Sequence, residues 1–237
     1  MERKLIKTYL SRRPSKESLI TGVLGLFTLL LFFSFNRNTF SANGFLVFEK
    51  NEYWRAFTTT LLHADLTHLS HNAFFFTGLA ALLHSYFGFW VFPVLSLLVG
   101  GVINLITLSF YPPQIHLVGI SGVIYFMASF WLTLYLLIEK RQKLSVRIIH
   151  AVAISLIFFF PETIQPQVSY LAHAMGFVLG IPVGMIYYFL NQKKIRSEDQ
   201  WMEIEDPIEE ESYYHLESPE DNELSQRASD SSQSPLH

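Results

Sequence analysis

Residues 117–138 read LVGISGVIYFMASFWLTLYLLI and are followed by the basic run EKRQK at 139–143. No Asp, Glu, Lys or Arg interrupts the stretch, and a helix of that length matches the roughly 30 Å hydrocarbon core of a bilayer. Five more charge-free apolar stretches flank it, at 19–35, 69–87, 89–110, 148–161 and 168–190. The stretch at 148–161 is short, since its residues would rise only about 21 Å as helix. It must borrow the polar residues after Pro161 or lie where the membrane is thin. The expected fold is all-α, a polytopic bundle of six transmembrane helices occupying residues 19–192.

Composition agrees. Half of the 237 residues are hydrophobic and only 16% are charged, against about a quarter charged in soluble domains. The absence of Cys excludes disulfide frameworks, thiol nucleophiles and Cys-ligated zinc. A net charge of −3 offers nothing to nucleic acid. That small number hides two opposite parts. Residues 1–192 hold 13 basic and 7 acidic side chains, and residues 193–237 hold 4 and 13. The acidic end, rich in Ser, Gln and Pro, has no apolar periodicity and is expected to be a disordered tail.

Basic residues orient a membrane protein. They cluster before the first stretch (Arg3, Lys4, Lys7, Arg12, Arg13, Lys16), between the fourth and fifth (Lys140, Arg141, Lys143, Arg147), and after the sixth (Lys193, Lys194, Arg196). Both termini are therefore expected in the cytoplasm. Residues 1–18 form a basic cytoplasmic segment, residues 36–68 a long outer loop, and residues 193–237 a cytoplasmic tail. The first stretch begins too late, and ends too bulkily at Phe33-Ser34-Phe35, for a cleaved signal peptide.

With that topology, the polar residues of the spans fall at one face. The second span begins with His63, His68, His71 and Asn72, the fourth with Gly119-Ile120-Ser121-Gly122, and the sixth with Ala172-His173. Intramembrane polar groups are costly and tend to be functional. His68 and Asn72 share a helical face, as do Ser121, Tyr125 and Ala128. His173, Gly180 and Gly184 fall within about 20° of one another, with Gly176 beside them, a small-residue stripe that admits a close partner helix. If the fourth span packs there through Ser121 and Ala128, Ser121 meets His173. A serine hydroxyl becomes a competent nucleophile when a base within hydrogen-bond reach takes its proton. His173 is the candidate base, and Asn72, His68 and the Ser121 N–H are candidate donors to an oxyanion.

These residues resemble the rhomboid intramembrane serine proteases. The resemblance rests on Trp54-Arg55, His63-x₄-His68-x₃-Asn72, Gly119-Ile-Ser121-Gly122 with Tyr125, and Ala172-His173-x₂-Gly176-x₃-Gly180, across about residues 50–190. It implies a Ser121–His173 dyad, with His68, Asn72 and the Ser121 N–H as oxyanion hole. Gly119 would shape the loop before the nucleophile, Tyr125 would pack on His173, and Trp54-Arg55 would belong to the first outer loop. It implies single-span membrane proteins as substrates, cut near the outer face, and a gate at the fifth span and residues 159–168. No cofactor is implied. A bacterial inner (plasma) membrane is the expected location, with the site opening away from the cytoplasm.

Simpler readings apply elsewhere. Ser96, Ser129 and Ser155 are expected to be packing hydroxyls, and His71, His84, His116 and His150 structural histidines. His63 holds the loop rather than doing chemistry. Gly100-Gly101 and Asn104 are expected to give close packing with one interhelical hydrogen bond. Zinc is not expected, because no carboxylate completes the His63/His68/His71 cluster and His-Glu-x-x-His is absent. Paired intramembrane acids and a Gly-x-Ser-x-Gly elbow are absent too, residue 123 being Val. An inactive client-binding relative and, less well supported, a small transporter are the alternatives.

Overall fold

The computed structural model describes residues 2–12, 15–33, 37–159 and 169–204. Its helices are α1 (Lys16–Phe33), α2 (Arg37–Phe40), α3 (Arg55–Thr58), α4 (Leu66–Phe87), α5 (Ser96–Phe110), α6 (Ser121–Ile138), α7 (Leu144–Phe159) and α8 (Tyr170–Arg196). A wide turn at Trp90–Leu95 leads into α5 and is interrupted at Phe92, ahead of Pro93. Among the described residues, three helices are long and apolar enough to cross a membrane: Trp90–Phe110, Ser121–Ile138 and Tyr170–Arg196. The apolar helix Leu144–Ile157 is shorter, as its sequence suggested.

Burial divides the helices into a centre and a rim. Every residue from Gly122 to Phe130 of α6 is buried. By contrast Leu19, Val23, Leu24 and Phe27 of α1, Ile149, Val152 and Leu156 of α7, and Ile186, Phe189 and Leu190 of α8 are exposed. Helices that are apolar on both inner and outer faces match a lipid surrounding rather than water. The chain is an integral membrane protein.

The main inter-helix joint is α6 on α8, and glycine makes it possible. A Cβ at Gly176 would strike the Gly122 carbonyl and approach Phe126 N to 3.2 Å. At Gly180 it would overlap Ser129 Oγ and come 2.6 Å from the Phe126 carbonyl, and at Gly184 it would meet Thr133 Cβ at 3.1 Å. The surface of α6 facing these glycines is therefore Gly122, Phe126, Ser129 and Thr133. The expected Ser121–Ala128 stripe lies one residue round the helix, which leaves Ser121 beside the joint instead of inside it. Ser129 packs as expected. Gly100 and Gly101 also pack closely, against Val123 and Phe57. Asn104, however, bonds to the Ala56 carbonyl (2.7 Å) and Thr60 Oγ1 (2.9 Å). That makes two bonds, both into the first loop, in place of one to a neighbouring span.

The basic N-terminal segment is seated rather than loose. Tyr9 is buried, stacks on Phe87 with centroids 6.2 Å apart, and donates to the Tyr86 carbonyl at 2.6 Å. Tyr86 Oη donates back to the carbonyls of Leu10 (3.1 Å) and Arg12 (3.0 Å). Arg12 pairs with Glu198. Glu139, buried at the end of α6, is held by Arg141 at 2.6 Å and accepts from Thr8.

The chain divides into residues 5–200 and a small unit of residues 1–4 and 201–237. Within the latter, Arg3 of strand β1 (Glu2–Lys7) meets Glu203 of strand β2 (Gln200–Ile204) at 3.1 Å. The expected tail from residue 193 begins within described structure, where α8 continues to Arg196 and β2 follows. Residues 205–237 and the expected gate at 160–168 lie outside the described residues.

A Gly180→Val substitution should lower the thermal midpoint in detergent sharply, by an amount typical of core overpacking, about 1–3 kcal/mol or more. Gly78→Ala in α4 meets nothing within 4 Å and should raise stability by about 0.5–1 kcal/mol.

Candidate active site

The residues just before α6 are built by the first loop. Leu117 pairs with Ala42 across an antiparallel bridge, its N–H donating to the Ala42 carbonyl at 2.8 Å. Thr59 Oγ1 donates to the Leu117 carbonyl and accepts from Ala42 N–H at 3.2 Å, while Gly119 N–H donates to the Thr59 carbonyl at 3.2 Å. One threonine therefore fixes both the loop and the approach to Ser121. Sequence reasoning missed Thr59, because no periodic or motif signal marks a loop threonine that bridges two backbones.

Gly119 has φ +121°, a backbone conformation that disfavours any side chain. It also leaves room for a ring, since a Cβ there would lie 2.9 Å from His68 Cε1 and 3.9 Å from Ser121 Oγ. His68 sits in the first turn of α4, whose N-cap Asp65 accepts the His68 N–H at 2.8 Å. Ser121 opens α6, in the turn whose N–H groups lack intrahelical acceptors. Four residues on, Tyr125 stacks on His173 with centroids 4.3 Å apart and planes 18° off parallel. Gly122 lies against Ala172, 3.4 Å from its carbonyl to the position a Cβ would take. Gly119, His68 and Ser121 thus lie together, and Tyr125 meets His173 one turn further along α6, with Gly122, Gly176 and Gly180 as the spacers between α6 and α8. Asn72 is buried one turn below His68, and its Nδ2 has no hydrogen-bond partner among the described residues.

A cavity of about 640 Å³ opens over this group, lined by Asp65, His68, Tyr111, Gly119, Ser121 and Ser169 among others. Tyr111 Oη and Ser169 Oγ close one side, 2.8 Å apart. No cluster of three or more His, Cys, Asp or Glu suited to a metal occurs among the described residues.

A family model of the Rhomboid domain matches residues 50–189. The chain belongs to the rhomboid family. Rhomboids are generally intramembrane serine proteases, with inactive homologues among them. No curated protein matches the chain.

Three further residues of the rhomboid pattern make other contacts. Trp54 is half exposed, with the Arg55 guanidinium 4.7 Å over its ring. Arg55 pairs with Glu52 and donates to the carbonyls of Thr39 and Ser41, so it ties the first loop to itself. His63 is buried behind His68, ring centroids 5.2 Å apart. Burial first, and the His68 charge second, push its pKa down to about 4, against the opposing pull of the Leu61 backbone and Asp65. Burial of this kind keeps the ring neutral at pH 7. Of the other histidines, His84 meets Ser18 at 3.2 Å and His150 meets Tyr135 at 3.0 Å, while His71 is exposed.

A pKa lowered on folding contributes stability that is complete above the unfolded value and lost as pH falls through the folded one. From about 6.5 to about 4 the His63 shift corresponds to roughly 3 kcal/mol. Wild type should lose stability of that order between pH 6.5 and 4, and His63→Gln should show a shallower decline in a pH series of thermal unfolding.

Proposed function

We propose that this rhomboid is an active serine endopeptidase of six transmembrane helices with both termini in the cytoplasm, cleaving single-span membrane proteins near the outer face. The Tyr125–His173 stack, one helical turn from Ser121, carries the reading. A ring pinned in that position can serve as a base to a hydroxyl at the head of the same helix.

In this mechanism His173 accepts the Ser121 proton as Oγ attacks the scissile carbonyl. The oxyanion that forms is received by the Asn72 amide, the His68 ring and the Ser121 N–H. Asn72 suits this task, because a buried amide donor without a protein partner is costly unless something arrives to meet it. Ser121 N–H, in the first turn of α6, adds the positive end of a helix dipole. Protonated His173 then gives its proton to the leaving amine, and water resolves the acyl-enzyme by the reverse path. The polar cavity supplies the water that an apolar bundle otherwise excludes.

Charge bias supports the orientation: the basic segment before α1 and the runs after α6 and α8 mark the cytoplasmic side, and Ser121 lies at the opposite end of α6. The cavity then opens to the non-cytoplasmic side, of a bacterial plasma membrane in this reading. A substrate helix must unwind to present a carbonyl there, which makes single-span proteins with locally weak helices the fitting class.

Ser121→Ala and His173→Ala should each lower cleavage of a single-span reporter in proteoliposomes by at least about 10³-fold, and abolish fluorophosphonate labelling. Asn72→Ala should lower kcat by about 10²–10³ with little change in labelling. Labelling and cleavage that survive Ser121→Ala would leave a client-binding relative as the better reading.

A further inference from the structure

His116 lies five residues before Ser121, exposed at the cavity rim, and both of its ring nitrogens are engaged by the first loop. Nδ1 is 2.8 Å from Ser41 Oγ, and Nε2 is 3.1 Å from Asn43 Nδ2. The orientation of the Asn43 amide is fixed independently, because its Oδ1 accepts the Leu46 N–H at 2.8 Å. The group facing Nε2 is therefore the amide NH₂, a donor only, and Nε2 must accept. A neutral imidazole carries one proton, so Nδ1 holds it and donates to Ser41 Oγ. Imidazolium, with two donors, would set an N–H against the Asn43 NH₂ and break that bond.

We propose that His116 is a positioning residue that staples the first loop to the approach to Ser121 only as its neutral, Nδ1-protonated tautomer. This rests on the protease reading. Ser41, Ala42 and Asn43 flank the bridge to Leu117, and Gly119 follows within two residues, so the staple holds the segment that sets Ser121 and the His68 niche. Small misplacements at such a site are costly in rate.

Two measurements on the full chain in nanodiscs test this. ¹⁵N-histidine NMR at neutral pH, with His116→Gln providing the assignment, should give the Nδ1–H tautomer for His116; the Nε2–H tautomer overturns the proposal without touching the protease reading. For cleavage at pH 7.5, His116→Ala should lose about tenfold, and His116→Gln, which offers one acceptor and one donor, should recover most of that loss. Asn43→Ala, which removes the group facing Nε2, should lose about as much as His116→Ala, and the double variant no more than either alone. Failure of His116→Gln to recover, or losses that multiply in the double variant, overturns the proposal, whereas absence of cleavage by wild type would sink the protease reading and leave the tautomer result to stand alone.

Discussion

Backbone-to-backbone contact between α6 and α8 is the constraint on which the rest of the bundle depends. Gly176, Gly180 and Gly184 let α8 ride against Gly122, Phe126, Ser129 and Thr133 with no side chain between. In a membrane, where apolar burial between helices gains little over contact with lipid, such close van der Waals packing is a principal source of association. The joint also sets the rotation of both helices. Once Gly122 faces Ala172, Ser121 must stand at the edge of the contact and Tyr125 must meet His173. Other elements are added around that joint: α5 through Gly100 on Val123, α4 through Phe87 on Phe130 and Tyr187.

A second constraint comes from the first loop. Its buried backbone groups need partners, and the structure answers with side chains in place of a ladder. Arg55 collects carbonyls from residues 39 and 41, Asn104 takes those of Ala56 and the hydroxyl of Thr60, and Thr59 joins Ala42 to Leu117. Reaching around α5 and the start of α6, the loop becomes part of the wall of the cavity. Rigidity at Gly119 is thus supplied from outside its own segment.

The helices and the polar end of the bundle were legible in the sequence because both are periodic or compositional. Charge-free stretches mark helices, and three separate polar clusters at helix starts mark one face. The packing surface of α6 lies one residue from the Ser121–Ala128 stripe that the sequence suggests. A step of one residue turns a helix by about 100°, so Ser121 stands beside the joint. The small pair Gly122 and Ser129, two turns apart, was the better guide, since the partner glycines need small residues opposite them. The roles of Thr59, Asn43 and His116 were not legible. Each bonds to a segment distant in sequence, and such pairings leave no local pattern. The seating of the N-terminal segment escaped for a similar reason: its basic residues set topology, but Thr8 and Tyr9 set its place.

That seating has a consequence for the order of assembly. Tyr9 bonds to a residue 77 positions later in the chain, and Thr8 to one 131 positions later. The seat of residues 8–12 exists only once α4 and the end of α6 have come together. It therefore closes the bundle late and reports on its completion. Long-range contacts of this kind slow the final step of folding relative to the local helices.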